Sequence, residues 1–453
     1  MEWHTLLAPV RLGREARTTD AEGLRTAFHK DWDRIVFCSA FRRLQDKTQV
    51  QPLAKTDYVR TRLTHTLEVA SVGRSLGMMA GEAILRSHPR LAGVVQPMDI
   101  GAIVSAACLM HDIGNPPFGH AGEAAIQGYF ADRGHHWLQP LSPAEQADLL
   151  NFEGNAQGFR TLVRLQHPEQ PAGLQLTLPT LGAFCKYPRA SRVPIGAEAG
   201  ASGRKPGFMV SEQAWFERLA QGLGLPAKRV RVEAPAAEAV RAWHRHPLAF
   251  LVEAADDICY GVVDLEDGVK SGHIGLDELV DLHAPFAGTA AIDRAMRLAD
   301  RQHRAEYLRA VTIGVLVDAV AAQFDVQHDA LLEARFDEPL LDHIEGAHAF
   351  ARFQALARER LYAERSKAEL QVAGYEIIGG LLDTFCAAVE GLHRNAIRSR
   401  AKSELVVRLL PQGETVVAQP SAYQRLLAVT DFVAGMTDTY AVEMYRRLQG
   451  VVL

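Results

Sequence analysis

Long apolar runs, paired cysteines and a phosphate-binding glycine loop are all missing from this sequence of 453 residues. No run of about 18 apolar residues occurs, and charged residues appear early at the N-terminus, so we expect neither a membrane span nor a signal peptide. The five cysteines are odd in number and lack CxxC spacing, which predicts unpaired, buried thiols and a cytoplasmic location. The absence of a GxxxxGK[ST] motif argues against a P-loop hydrolase.

A large charge excess and a series of strand-like segments are also absent. The net charge of −5 gives no general attraction to nucleic acids or anionic membranes, which leaves the Arg-rich segment 394–402 as a local anion site or a solvated helix face. Helical periodicity dominates and favours a mainly α fold over an α/β fold. Helices are predicted over 61–84, 98–112, 247–270, 301–323, 347–372, 374–393 and 421–449, a short β-hairpin over 173–186, and an exposed, mobile loop over 190–207.

A histidine and an aspartate, His111 and Asp112, stand together where an apolar predicted helix ends. A divalent metal accepts both imidazole nitrogen and carboxylate oxygen, so this pair is typical of half a metal site. A third ligand is predicted at His65, on the helix predicted over 61–84. The fourth is expected from the acidic residues within 253–257, because consecutive carboxylates in an apolar helix are hard to explain as core packing.

If Asp256 of the predicted helix 247–270 is that fourth ligand, two further polar residues line the same pocket and Asp257 points about 100° away. Asp256, Tyr260 and Asp264 recur at every fourth position and therefore share one helix face, rising about 6 Å per step. After the Gly/Pro-rich turn that follows Asp112, His120 and Glu123 lie one helical step apart. A glutamate so placed can hold a histidine ring and raise its basicity.

Three long motifs carry a resemblance to a known family. RTRLTHTLEV (60–69), HDIGNPPFGHAGE (111–123) and EAADDICYGVVDLEDG (253–268) resemble the bacterial deoxyguanosine triphosphate triphosphohydrolase family of the HD-domain phosphohydrolases, and FVAGMTDTYA (432–441) resembles it more weakly. The resemblance implies an all-α fold in which additional C-terminal helices pack on an HD-domain core. The domain limits that we expect are 1–60 for an N-terminal helical segment, 61–270 for the HD domain and 271–453 for the C-terminal helices.

The resemblance also assigns roles to individual residues. It implies one divalent metal ion, magnesium, manganese or another transition metal, held by His65, His111, Asp112 and Asp256. It implies acid/base chemistry at His120 and Glu123, with the acid and base roles left open. Contacts with substrate or support of the pocket are implied for Gln49, Arg62, Asn115, Asn151, Glu153, Lys186, Tyr187, Tyr260 and Asp264.

The activity implied is hydrolysis of a deoxynucleoside triphosphate, above all dGTP, at the α-phosphate to give a deoxynucleoside and tripolyphosphate. The resemblance also implies a homo-oligomer built from dimers, up to hexamers, and a single-stranded DNA or dNTP effector. One alternative is an HD-type enzyme that acts on nucleoside monophosphates or cyclic nucleotides. Another is a non-catalytic nucleotide or nucleic-acid sensor, which would be expected to lack a metal ligand or the His120 pair.

Overall fold

The fold consists of α-helices. The computed structural model describes residues 1–15, 25–48, 60–192, 200–228, 242–270, 272–360, 365–395 and 400–451. Within these ranges β-structure is limited to isolated bridges, which confirms the all-α prediction. The helices are α1 Trp3–Leu6, α2 Ala27–Val36, α3 Ser39–Arg43, α4 Arg62–Ser87, α5 Pro97–Met110, α6 His120–Ala131, α7 Pro143–Leu150, α8 Gly154–Arg160, α9 Leu178–Phe184, α10 Gln213–Leu223, α11 Pro247–Lys270, α12 Leu276–Met296, α13 Arg301–Val326, α14 His328–Leu332, α15 Ala347–Arg360, α16 Arg365–His393, α17 Arg400–Val407, α18 Gly413–Ala418, α19 Ala422–Ala434 and α20 Asp438–Leu448.

Helices α4 and α5 approach each other closely because glycines line the contact face of α4. Gly73, Gly77 and Gly81 share that face at four-residue spacing. A Cβ atom at Gly77 would lie 2.8 Å from the carbonyl oxygen of Ile100 in α5, so no larger residue fits there. This close packing fixes the N-terminal turn of α4 relative to the C-terminal end of α5, which is where His65 and His111 lie.

The buried apolar residues of the described ranges form two separate cores. The first lies mainly between α2, α4, α5 and α9 to α15, and the second between α6, α7, α16, α19 and α20. The His-Asp loop, which we define as residues 111–119, joins the two: Ile113 is buried in the first core and Phe118 in the second. The position of this loop therefore depends on both halves of the fold.

Several sequence-based expectations need correction. Residues 178–184 form helix α9 instead of the second strand of a hairpin over 173–186, and Thr177 makes only an isolated bridge with Arg11. In the segment expected to be an exposed loop, residues 193–199 lie outside the described ranges, whereas Ala201, Ser202 and Gly203 are buried. The helix expected over 421–449 is two helices, α19 and α20, because Thr437 caps a new helix by accepting the N–H of Tyr440.

Other expectations hold. The predicted helices over 61–84, 98–112, 247–270 and 301–323 are present as α4, α5, α11 and α13, with small shifts at their ends. The five cysteines are unpaired and buried, as predicted. The domain limits at 60 and 270 stay a prediction.

Two helical stretches, Arg301–Val326 and Val372–His393, are long and apolar enough to pass a test for membrane spans by length and composition. Core helices pass the same test. Their most apolar windows are 39% and 50% buried within the fold, and both helices pack against several others, so the indication of a membrane span is weak.

A buried ion-pair network fastens α8 to α19. Arg160 donates to both carboxylate oxygens of Asp431, at 2.7 to 3.1 Å, and to Glu212 at 2.7 Å. The side chains of Arg160 and Glu212 are 8% and 0% exposed. Removing one member of such a network leaves the remaining charges buried and unpaired, which costs far more than the loss of a surface pair.

We therefore expect Arg160→Ala to lower the free energy of unfolding by about 3–5 kcal/mol. Arg164→Ala is the matched control, because Arg164 contacts the same Glu212 carboxylate at 2.9 Å but is 44% exposed. The control should cost no more than about 1 kcal/mol. Urea unfolding of both variants measures the two values. Equal losses of unfolding free energy would show that burial of the Arg160 ion pairs adds nothing to stability.

Candidate active site

Three predicted ligands converge at one point between α4, α5 and α11. The ligand atoms of His65, His111 and Asp256 lie within 4.8 Å of one another. Oδ1 of Asp256 is 3.1 Å from Nε2 of His65 and 3.4 Å from Nε2 of His111. Two imidazole nitrogens and a carboxylate oxygen that face a common point form a donor set suited to a divalent transition metal.

Neighbouring groups aim these ligands. Nδ1 of His111 lies 2.7 Å from the carbonyl oxygen of Cys108, which fixes the ring so that Nε2 faces the other two ligands. Lys186 donates from Nζ to the other oxygen of Asp256 at 2.6 Å. Burial alone would lower the pKa of His111, but the carboxylates of Asp112 and Asp256 outweigh it and raise that pKa. A site that favours a protonated imidazole in this way attracts positive charge, so the residues fit a cation.

Asp112 lies beside the three-residue group and faces Arg62. Its Oδ2 accepts from Nη1 of Arg62 at 2.7 Å and lies 3.6 Å from Nε2 of His111, while its Oδ1 accepts from the amide of Asn115 at 2.5 Å. Burial would raise the pKa of Asp112, but Arg62 and the histidines hold it well below its ordinary value. The structure thus brings three of the four predicted ligands together, and the fourth, Asp112, forms an ion pair with Arg62.

Asp257 points elsewhere. It is not part of the converging group, although it adjoins Asp256 on α11. Burial, with the like charges of Glu253 and Asp256, raises its pKa to about 8. On a helix, successive side chains point about 100° apart, which explains why only one of the two carboxylates meets the imidazoles.

His120 and Glu123 stand in the first turn of α6, but the expected hydrogen bond between them is not formed. Oε1 of Glu123 instead accepts the backbone N–H of Gly154 at 2.8 Å, at the start of α8. A Cβ atom at Gly154 would lie 2.8 Å from that oxygen, so glycine is needed there. A helix N-terminus attracts a carboxylate, and this long-range contact outcompetes the local one.

The pKa values of these two side chains are shifted in opposite directions. Burial, followed by the like charge of Glu153, raises the pKa of Glu123 to about 7. Partial burial of the ring and the positive charges of Lys205 and Arg62 lower the pKa of His120. His120 is nevertheless exposed to solvent at the helix start and makes no hydrogen bond to another residue of the described part. It is therefore available to a ligand.

Lys205 is a member of this site that the sequence interpretation missed. Its Nζ donates to Oε1 of Glu153 at 2.5 Å, and Glu153 in turn caps α8 by accepting the N–H of Asn155. The residue comes from the Gly-rich segment that was expected to be an exposed loop. The sequence gives only a weak signal for it, because the same Gly-rich segment also carries Arg192, Glu198 and Arg204.

The remaining residues that the sequence predicts for the site differ in burial and in their contacts. Tyr187 is largely enclosed, and burial raises its pKa. Tyr260, about one turn after Asp256 on α11, is half-buried, and Asp264, about two turns after it, is 1% exposed. Asn151 is exposed at the end of α7, where its amide lies 3.5 Å from the carbonyl of Ser191. Gln49 lies outside the described residues.

The raised pKa of Glu123 predicts a pH dependence of stability. Between its ordinary pKa near 4.5 and about 7, the folded protein binds this proton and the unfolded chain does not. The proton therefore stabilises the fold fully below about pH 4.5, and this contribution is lost as pH rises to 7. Relative to Glu123→Gln, whose amide oxygen can still accept from Gly154, the wild type should lose up to about 3 kcal/mol between pH 4.5 and 8.

Urea unfolding of both proteins at several pH values checks this expectation. Glu443→Gln is the control, because the Glu443 side chain is 50% exposed and forms a surface ion pair with Arg447 one turn away. It should show no such pH-dependent difference. If the free energies of unfolding of the wild type and Glu123→Gln depended on pH in the same way, the raised pKa of Glu123 would be contradicted.

Comparisons with known proteins agree with this geometry. Residues 62–138 match the HD domain, and residues 345–447 match the phosphohydrolase-associated domain. The chain is 42% identical to a deoxyguanosinetriphosphate triphosphohydrolase-like protein of Pseudomonas aeruginosa, with 99% of each chain covered, and 40% identical to one of Synechocystis over the full length of both. It is 32% identical to the deoxyguanosinetriphosphate triphosphohydrolase of Salmonella arizonae, with 96% of this chain and 95% of the relative covered. The chain therefore belongs to the deoxyguanosinetriphosphate triphosphohydrolase-like family of HD-domain phosphohydrolases.

Proposed function

We propose that this protein is a metal-dependent deoxynucleoside triphosphate triphosphohydrolase that cleaves dNTPs, dGTP foremost, into deoxynucleoside and tripolyphosphate. The observation that carries the proposal is the convergence of His65, His111 and Asp256 beside a set of cationic side chains. Relatives named deoxyguanosinetriphosphate triphosphohydrolase-like match the whole length of the chain, which supports the proposal. A rival sensor function has little support, because a sensor would be expected to have lost part of this group.

His65, His111 and Asp256 would hold one divalent ion, with Asp112, whose Oδ2 lies 3.6 Å from Nε2 of His111, as the fourth ligand. The chemistry that such an ion supplies is polarisation of a phosphate oxygen and a lowered pKa of water. Which metal is native stays open between magnesium, manganese and other transition metals, because two histidines and two aspartates suit several.

The cations of the site suit a triphosphate. A triphosphate carries close to four negative charges, which one divalent ion does not neutralise. Arg62 and Lys186 are paired with Asp112 and Asp256 at the converging group, and Lys205 is paired with Glu153 near His120. We propose that these cations exchange part of that pairing for phosphate oxygens when substrate binds.

His120 is proposed to carry the proton chemistry. Its lowered pKa favours the neutral imidazole, which can accept a proton from an attacking water. Glu123 cannot orient the ring directly in this structure, so its proposed contribution is to fix the contact between α6 and α8. Tyr260 and Asp264, on the Asp256 face of α11, are proposed to contact the deoxyribose together with Gln49, Asn115 and Tyr187.

A substrate panel tests the proposal. Purified protein is incubated with each dNTP, each ribonucleoside triphosphate, nucleoside monophosphates and cyclic nucleotides, with magnesium or manganese. We expect turnover of dNTPs above all. Turnover confined to monophosphates or cyclic nucleotides would support the alternative HD enzyme, and none with any metal would support a sensor. The effector, the oligomer and the cytoplasmic location stay predictions.

A further inference from the structure

The C-terminal motif FVAGMTDTYA lies directly against the His-Asp loop, although it follows that loop by more than three hundred residues in the chain. Its Asp438, the first residue of α20, is 1% exposed. The Asp438 carboxylate accepts three hydrogen bonds: from the N–H of Phe118 at 2.9 Å, and from the N–H and hydroxyl of Thr48 at 3.0 and 2.5 Å. One buried side chain therefore joins three segments of the chain.

The backbone that Asp438 holds has an unfavourable conformation. Phe118 and Gly119 have φ values of 63° and 58° in succession. A bulky residue in the left-handed region persists only where its surroundings fix it. Gly119 favours glycine because of its positive φ, and a Cβ atom there would also lie 2.5 Å from Nη2 of Arg62, which would have to shift.

Further contacts hold the same loop from the same side. The ring of Phe118 is buried in the second core, where it packs against Gly374 of α16. Lys47 donates from Nζ to the carbonyl oxygens of Asn115 and Ala434, at 2.5 and 3.0 Å. The loop between Asp112 and His120 is thus fastened at two points to the region that matches the phosphohydrolase-associated domain.

We infer that Asp438 is a positioning residue for the hydrolysis, through which the C-terminal region sets the direction of His120. His120 directly follows Phe118 and Gly119, so the backbone angles of those two residues determine where α6 begins and where its first side chain points. Asp438 makes no hydrogen bond to His65, His111 or Asp256. Its hydrogen bond to this loop is at Phe118, six residues after Asp112, so we expect its loss to change the direction of His120 and not the binding of metal. This inference rests on the function proposed above.

Kinetics of Asp438→Ala and Asp438→Asn test the inference. We expect Asp438→Ala to lower kcat by about tenfold to a hundredfold, the cost of a misplaced reacting group, with KM changed less than about threefold. Bound metal should be unchanged. Asp438→Asn should be intermediate, because its amide oxygen can still accept from Phe118. The control is Thr437→Ala, which removes the cap of the same helix but keeps the three hydrogen bonds that Asp438 accepts.

Hydrogen exchange of the peptide that covers 113–120 gives a second measurement, independent of turnover. Exchange should be faster in Asp438→Ala than in wild type and Thr437→Ala. An unchanged kcat, or a loss equal to that of Thr437→Ala, would overturn the inference. If the wild type turns over no dNTP, the proposed function fails, and the exchange data then decide alone: faster exchange confined to the Asp438 variants supports the loop-holding role, and equal exchange refutes it.

Discussion

Replacing Asp256 by alanine should remove the bound metal and lower turnover by more than about a hundredfold. Asp256 supplies the carboxylate of the converging group, 3.1 Å from His65 and 3.4 Å from His111. Loss of an outer partner of a metal ligand costs about ten- to a hundredfold, so loss of a ligand itself should exceed that range. Metal content of the protein after gel filtration, measured together with turnover, gives both values.

Asp257→Ala is the matched control for this variant. Asp257 is the neighbouring carboxylate on the same helix but does not join the group, and its pKa is raised to about 8 by burial and nearby acids. The Asp257 variant should keep its metal and most of its turnover. The reverse pattern, with metal lost in Asp257→Ala and kept in Asp256→Ala, would refute the ligand assignment.

Replacing His120 by alanine should lower kcat by about a hundredfold to ten-thousandfold, the usual contribution of a general acid or base. Bound metal should stay at the wild-type level, because His120 is not part of the converging group. The ring has no hydrogen-bond partner in the described part of the chain and a lowered pKa, so it can take a proton from water near neutral pH.

His136→Ala provides the comparison for a histidine at the surface. Its Nδ1 lies 3.0 Å from the carbonyl oxygen of Arg133, and its ring contacts Trp137 at an angle of 43°, outside the converging group. That variant should turn over substrate at the wild-type rate. Retention of more than about a tenth of the activity in His120→Ala would remove His120 from the proton chemistry.

Much of the fold and of the metal group was predictable because the signals are local. Helical periodicity marks α4, α5 and α11, and the three converging side chains stand on or at the end of those helices. The structure places Asp256 beside the two imidazoles, and the role of these residues as metal ligands stays a prediction. What the spacing could not supply was the approach of the helices, which depends on glycines such as Gly77 packing against a backbone in another helix.

The contacts that the sequence did not reveal are all long-range. The sequence predicts that Glu123 holds the ring of His120, three residues away. In the structure its carboxylate instead accepts the N–H of Gly154, in helix α8, which the sequence pattern did not predict. Asp112 was expected as a ligand, and its tie to Arg62 across fifty residues is a competing contact. Lys205 and Asp438 gave no local sign of their position, because a single charged residue in a loop or at a helix start usually faces solvent.

The measurement that tests the central claim most directly is hydrolysis of dGTP in water enriched in heavy oxygen, with both products identified by mass. Attack of water at the α-phosphorus with departure of the 5′-oxygen predicts deoxyguanosine without label and tripolyphosphate with one labelled oxygen. Formation of dGMP with pyrophosphate, or of dGDP with phosphate, would show that another bond is cleaved and would contradict the proposed triphosphohydrolase.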